Sequence, residues 1–382
     1  MELIPYGHQS IGESDINAIV EALRSGWITQ GPKVDEFEKA LCEYTGAKYA
    51  VAVSSGTAAL HLACLAAGVR EGDEVITSPI TFVATANSVL YCHGKPVFAD
   101  VDINSGNINP EEIKKNITSK TRALIPVHFA GHPCDLKEIS RIAKEHHLTI
   151  IEDAAHALGA EYQGAKTGSC QYSDMTVFSF HPVKSITTGE GGAITTNNKE
   201  FYEKLIMLRQ HGITKDRSLL DPRRAESEGG WYHEMQQLGF NYRITDLQCA
   251  LGISQLKRID EFITKRRRIA EIYLDAFCGN LAFSVLKEGA DSLSAWHLFP
   301  VILKDKGRRG MVFERLRERG IGVQVHYIPV YLQPYYEQSG YRKGTCPEAE
   351  DFYEREISIP LFYDLNDERQ QYVIRNINEV IK

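Results

Sequence analysis

Short apolar runs and amphipathic stretches alternate along the chain from about residue 49 to 200. The runs YAVAV, EVITS, KPVFADV, ALIPVHF, LTIIED, MTVFSF and GGAITT are rich in Val, Ile, Thr and Phe and read as strands. Between them, TAALHLACLAAG and DLKEISRIAKEHH carry helical patterns. Alternating strand and helix predicts an α/β protein with a mostly parallel sheet covered on both faces. Ligands of such sheets bind at the carboxyl ends of the strands. The residues expected there are Ser54 to Thr57, Thr81 and Phe82, Asp153 to His156, and Ser179 to Lys184. Residues 213–233 are polar and rich in charge, Gly and Pro, and read as a long surface loop. From about 246 the pattern becomes helical and then mixed α/β to the end. The expected division is a large domain over 1–245 and a smaller α/β domain over 246–382. Amphipathic helices in roughly the first 40 residues are expected to pack beside the smaller one. No internal repeat or low-complexity tract interrupts the chain.

Composition narrows the function classes. The 382 residues are 43% hydrophobic and 24% charged, as in ordinary globular proteins, and are enough to enclose a cofactor. A net charge of −7 argues against nucleic acid as a partner. No uninterrupted apolar stretch reaches membrane-spanning length, and MELIPYGHQSIGESD lacks the pattern of a signal peptide. The eight cysteines contain no CxxC, which argues against a zinc site or a disulfide framework. No metal is expected, and a reducing compartment, most simply the cytoplasm, is the expected location.

Lys184 lies in SFHPVKSITTGEGG, with Ser179 five positions before it and a short apolar strand just upstream. Another strand ends in Asp153, within LTIIEDAAHALGA. A lysine after a strand is ordinarily a solvated surface group. A strand-end carboxylate followed by a lysine on a short turn is also what a pyridoxal phosphate enzyme needs. The amine condenses with the cofactor aldehyde, and the carboxylate keeps the pyridine nitrogen protonated. Gly56 and Thr57 open a helix after a strand, which suits phosphate, although Ser and Thr there are also plain N-caps. Phe82 could stack on a planar ring or fill a core. Ser179 could donate to the phosphate, and His156 could face the ring's phenolic edge. Glu190-Gly191-Gly192 reads as a simple turn. Asn241 and Arg243 either cap a helix or bind phosphate. No GxGxxG follows an early strand, so a nicotinamide oxidoreductase is disfavoured.

These residues resemble the DegT/StrS family of nucleotide-sugar aminotransferases, which has the fold type I architecture of pyridoxal phosphate enzymes. The resemblance runs from GWITQGPKVDEFEKALCEYTGAKYAVAVSSGTAALHLA, through PITFVATANSVL, IEDAAHALGA, SFHPVKSITTGEGG and GFNYRITDLQCALGISQL, to GIGVQVHYIPVYLQPYY. SFHPVKSITTGEGG, ITFVATANS and VQVHYIPVY look most like the family's aminotransferases of pseudaminic acid biosynthesis. The resemblance implies that Lys184 is the Schiff-base lysine and proton shuttle, Asp153 the partner of the ring nitrogen and Phe82 the stacking residue. Gly56, Thr57 and Ser179 would hold the phosphate, and His156 stands where many members have Gln. It further implies a homodimer in which Asn241 reaches into the partner's site. Thr29, Arg243, His326 and Tyr327 are the substrate-side candidates. The segment from Tyr327 to Tyr336 either lines a sugar pocket or packs the smaller domain. Arg209, Lys215, Arg217, Arg223, Arg224 and Arg243 are cations on or near the 213–233 segment available to a diphosphate. The implied reaction moves an amino group from glutamate, through pyridoxamine phosphate, to a keto carbon of a sugar nucleotide. UDP and carbon 4 are the choices the resemblance favours. One branch of the family has His in place of the lysine and dehydrates its sugar. Lys184 disfavours that branch, and Lys184 with Asp153 disfavours a non-catalytic regulatory homologue.

Overall fold

The computed structural model describes residues 3–382, and all the apolar runs read as strands form one seven-stranded sheet. In chain order its strands are β1 (Tyr49–Val53), β2 (Glu74–Thr77), β3 (Lys95–Phe98), β4 (Thr121–Ile125), β5 (Thr149–Asp153), β6 (Met175–Ser179) and β7 (Gly192–Thr196). Their spatial order is β1-β7-β6-β5-β4-β2-β3. β7 runs antiparallel to both neighbours, and the other pairings are parallel. Helices cover both faces, so the strands are apolar on both sides and lack polar alternation. Helix α1 (Glu13–Arg24) and α2 (Pro32–Thr45) come before the sheet, and α3 (Gly56–Ala66) follows β1. α3 is Ala- and Leu-rich on every side because almost all of it is buried.

The pairing register brings distant segments together. Gly192 pairs with Val53 on one side and Ser179 on the other, so the chain leaving β1 and the chain leaving β6 emerge side by side. Gly192 is more than the turn residue the sequence suggested. A Cβ there would lie 2.5 Å from the Ser55 carbonyl oxygen and 2.7 Å from the Gly56 nitrogen. Its bare backbone lets the start of α3 pass directly over the sheet.

Helices α4 (Asp246–Leu256) and α5 (Ile259–Ala276) follow. The first half of α5 packs with α2 and the central sheet, through Ile259, Phe262 and Ile263. From Ile269 onward α5 belongs to a second core. That core is built on an antiparallel sheet of β8 (Phe283–Val285), β9 (Phe299–Leu303) and β10 (Glu356–Ile359). The amino-terminal segment joins the same core through Ile4, whose backbone pairs with Gly320 and Gly322. α1 and α2 pack on α4, and the buried Asp246 carboxylate accepts the Gly31 and Lys33 amides at 2.6 and 2.9 Å.

The 213–233 segment, expected as a long surface loop, is largely exposed and carries short regular pieces. Ile213–Thr214 pairs with Glu234–Met235, and Pro222–Ser227 forms a short helix between them. Its start signal is present in DPRRAES: Asp221 caps the Arg223 amide, and Pro222 stands in the first turn where its missing N–H costs nothing.

Candidate active site

A cavity of about 440 Å³ opens at the carboxyl ends of β1, β5 and β6. Lys184 stands on its wall, on a turn fixed by backbone bonds from Lys184 N to His181 O and from Thr188 N to Phe180 O, at 2.9 and 3.0 Å. Desolvation holds the Lys184 amine down at about 8, from an ordinary value of 10.5, although Asp153 pulls the other way. Below that midpoint the fold holds a buried ammonium that the unfolded chain would solvate. The cofactor-free protein therefore gains stability from Lys184 as pH rises from about 8 toward 10.5.

Asp153 ends β5 and is buried. Thr85 Oγ1 donates to its Oδ2 at 2.7 Å, and the Ala155 amide donates to Oδ1 at 3.2 Å. Both donors are neutral, and among the described residues no cation forms an ion pair with this carboxylate. No run in the sequence points to Thr85, which lies in the first turn of the helix Ala84–Tyr91, its hydroxyl 2.7 Å from that of Thr81 in the loop before it.

Opposite stands the start of α3. Ser55 caps it by accepting the Ala58 amide at 3.1 Å, which leaves the Gly56 and Thr57 amides free to meet an anion. Gly56 is packed so closely that a Cβ would lie 2.9 Å from the Ser179 Cβ. Phe82 lies at the cavity with 61% of its surface exposed, an uncovered aromatic ring beside a polar site. His156 is buried, its Nε2 3.2 Å from the Tyr327 hydroxyl and its Nδ1 without a partner. Its ring centroid is 4.3 Å from that of His297, and burial together with Lys184 keeps it neutral, well below its usual range. His326 also lines the cavity and is held down at about 3 by the same two causes.

Nine of the sequence candidates thus converge: Gly56, Thr57, Phe82, Asp153, His156, Ser179, Lys184, His326 and Tyr327. Thr29, Asn241 and Arg243 do not line the cavity of the single chain. Asn241 and Arg243 instead pair by backbone with Gln210 and Val53. Arg209 is committed elsewhere, bonding the Glu38 carboxylate at 2.5 Å and the Ala52 carbonyl at 2.7 Å. Lys215, Arg217, Arg223 and Arg224 are exposed on the 213–233 segment. Tyr6 and His297 also line the wall, and neither lay in a run that marked it beforehand. Among the described residues no cluster of His, Cys, Asp or Glu could hold a metal ion.

The arrangement fits pyridoxal phosphate. It offers a desolvated amine, a buried carboxylate lacking a cation, a helix start for a phosphate, an open ring face and an orphaned imidazole nitrogen. The pattern of the DegT/DnrJ/EryC1/StrS aminotransferase family matches residues 9–378. The chain belongs to this family. It is a pyridoxal phosphate-dependent sugar aminotransferase with the fold type I architecture. Over 376 residues it is 42% identical to the UDP-4-amino-4,6-dideoxy-N-acetyl-beta-L-altrosamine transaminase of Campylobacter jejuni, covering 97% of this chain and 96% of that one. It is 40% identical to the spore coat polysaccharide biosynthesis protein SpsC of Bacillus subtilis, over 99% of this chain and 97% of that one. Among solved structures it resembles Helicobacter pylori PseC, an aminotransferase involved in the biosynthesis of pseudoaminic acid. That likeness has a TM-score of 0.92 and 35% identity, covering 100% of this chain and 99% of the other. The sugar aminotransferase Spr1654 of Streptococcus pneumoniae, solved in PLP and PMP forms, also has a TM-score of 0.92, and its PLP form is 30% identical over 99% of this chain and 98% of its own. Among the described residues no helix is long and apolar enough to cross a membrane.

Proposed function

We propose that this aminotransferase moves an amino group from glutamate to the C4 keto group of a UDP-linked 4-keto-6-deoxy-N-acetylhexosamine, giving a UDP-4-amino-4,6-dideoxy sugar. The observation that carries this reading is the full-length likeness to a transaminase named for that product. The likeness to SpsC favours a second reading, in which another nucleotide ketosugar is aminated by the same machinery.

When bound, the cofactor supplies an aldehyde that carries the amino group and a ring that spreads the electrons released at the reacting carbon. The chain's own residues do the rest. The amides of Gly56 and Thr57 and the Ser179 hydroxyl would bind the phosphate at the start of α3. Phe82 would cover one ring face. Asp153, positioned by Thr85 and Ala155, would hold the proton on the ring nitrogen. Lys184 would be the base that takes the donor's α-proton at Nζ. In the cofactor-free chain burial already lowers this amine to about 8, toward the neutral form a base needs. His156 and Tyr327, bonded to each other, present a neutral imidazole and a phenol to the ring's oxygen edge.

The reading includes a homodimer with shared sites. Trp27, Ile28 and Leu238 are exposed at 58, 54 and 77%, large apolar side chains of the kind a second copy would cover. Thr29 and Asn241 are near these residues in sequence, so in a dimer they would serve the partner's cavity, and Arg243 would face its diphosphate. Mixing Lys184→Ala subunits with Asn241→Ala subunits, each nearly inactive alone, should leave each heterodimer one intact site of its two, so that a randomly associated equal mixture recovers toward a quarter of wild-type activity. Additive residual rates would reject the shared site.

Two further results are expected. Borohydride reduction of the holoenzyme should fix the cofactor mass to the peptide carrying Lys184 and to no other. With cofactor added to the apoenzyme, the rate of capture should rise with pH through about 8, because only the neutral amine attacks. A midpoint near 10.5 would mean the amine is solvated. The substrate reading is tested by kcat/KM for UDP-, dTDP- and GDP-linked 4-ketosugars with glutamate, the aminated product being identified by mass. An equal or higher value for a dTDP or GDP sugar would sink the UDP assignment.

A further inference from the structure

Glu356 is a fully buried carboxyl group with no part in the reaction described above. It stands on β10, in EISI, where Ile357 and Ile359 point into the second core. Strand alternation puts Glu356 and Ser358 together on the other face. There the segment carrying His326 runs alongside, paired with the strand through Gln324 N to Ser358 O at 3.1 Å and Ser358 N to Gln324 O at 2.8 Å.

Three hydrogen bonds link these residues to the cavity wall. The His326 amide donates to Glu356 Oε2 at 2.7 Å, the Ser358 hydroxyl lies 2.5 Å from Glu356 Oε1, and His326 Nδ1 lies 2.9 Å from the same hydroxyl. A hydroxyl has one proton to give. If Glu356 is a carboxylate, Ser358 must donate to it, so Nδ1 must carry the proton and donate to Ser358. Nε2 is then a lone pair. If Glu356 is a carboxylic acid, its Oε1–H donates to Ser358, the hydroxyl turns to donate to Nδ1, and the imidazole proton sits on Nε2. The amide bond to Oε2 is compatible with both states and holds the carboxyl in place. His326 lines the cavity, and with Nδ1 engaged, Nε2 is the nitrogen left to meet a ligand.

We propose that Glu356 and Ser358 are positioning residues for His326: the proton on Glu356 sets, through the Ser358 hydroxyl, whether His326 offers the substrate cavity an N–H or a lone pair. On going from acid to carboxylate, Glu356 releases one proton to water. That release is a relay: the Glu356 proton passes to the Ser358 oxygen as the hydroxyl proton passes to Nδ1, and the Nε2 proton leaves to the cavity, with no net change in the imidazole's own charge.

The surroundings leave the tautomer as the free variable. Burial and the charge of Lys184 keep His326 itself neutral. His156 and His297 are neutral for the same reasons, and burial holds the Tyr6 and Tyr327 phenols protonated. Around Glu356, burial pushes the carboxyl up to about 8, against the bonds from Ser358 and His326 and the positive charge of Arg309. The acid form therefore predominates below about pH 8, and His326 then offers an N–H. That group suits an acceptor oxygen, either the carbonyl of a ketosugar or the carboxylate of an amino-acid donor. Which ligand meets it rests on the function proposed above, whereas the tautomer does not.

The test uses the cofactor-loaded full chain with 15N-labelled histidine, the His326 signals being assigned by their loss in His326→Gln. Nitrogen shifts report which ring nitrogen carries the proton, without turnover. In wild type the proton is expected on Nε2 well below pH 8 and on Nδ1 well above it. Glu356→Gln should lock it on Nε2 at both pH values, because an amide N–H replaces the acid proton toward Ser358. Ser358→Ala, the second variant should the first unfold, should give one tautomer at both pH values. KM measured for glutamate and for the sugar nucleotide across the same range identifies the ligand as the one whose KM rises with pH in wild type but not in Glu356→Gln. A wild-type tautomer unchanged across pH 8, a Glu356→Gln protein still protonated on Nδ1, or a tautomer change that moves neither KM would overturn the proposal. Absence of turnover with either substrate in wild type would instead count against the function, leaving the nitrogen shifts to decide the relay.

Discussion

Lys184→Ala is expected to lower kcat by at least about 10³-fold, because one change removes both the covalent anchor and the proton carrier. Fold and cofactor pocket should survive. The turn bearing Lys184 is held by backbone bonds to the His181 and Phe180 carbonyls, and removal of a buried amine relieves desolvation. The purified wild type should absorb at roughly 410–430 nm and shift to about 330 nm with glutamate, and the sugar nucleotide should restore the first band. The variant should hold the cofactor without the internal lysine linkage and fail to catalyse the glutamate-driven shift. A variant that still turns over within about tenfold of wild type would remove Lys184 from the mechanism.

Asp153→Asn should produce the second largest loss, about 10²-fold or more in kcat. Removing one member of a buried charge pair costs about 3–5 kcal/mol, and 1.36 kcal/mol is tenfold in rate. The substitution preserves shape, and an amide oxygen can still accept from Thr85 or Ala155. Without cofactor the variant should melt no lower than wild type, since the carboxylate is then buried with neutral donors only. With cofactor the order should reverse, because the ring nitrogen loses its anionic partner. Unchanged kcat, or an equal stability gain from cofactor in both proteins, would show that Asp153 does not meet the ring. Measuring both quantities separates a damaged fold from a lost interaction.

The parts of this site that were legible in the sequence are those whose chemistry is local. Asp153 ends one apolar strand and Lys184 stands on the turn that follows another, and a parallel sheet sends all such ends to one edge. Gly56 and Thr57 begin a helix, and helix starts bind anions wherever they are. The short helix inside the 213–233 segment was missed for the opposite reason. The segment's charge and glycine content outweighed the short Asp221-Pro222 helix start, which is legible only when the capping residues are read individually.

The strand-helix alternation, the carboxylate at one strand end and the lysine on the turn after another are written into the chain by periodicity and short-range spacing, and the family is legible in the resemblance of its motifs. What lies between them is settled by packing. The antiparallel strand β7 sits between β1 and β6, and its Gly192 makes room for the start of α3 beside Ser179. Thr85 became the partner of Asp153, Arg209 was taken out of the site by Glu38, and His297 came to face His156 across 141 residues of chain. Glu356 entered a buried chain of hydrogen bonds ending at the cavity wall. Each of these depends on burial and on contacts between segments far apart in sequence. Such contacts are chosen by how the two cores pack, and no local pattern records them.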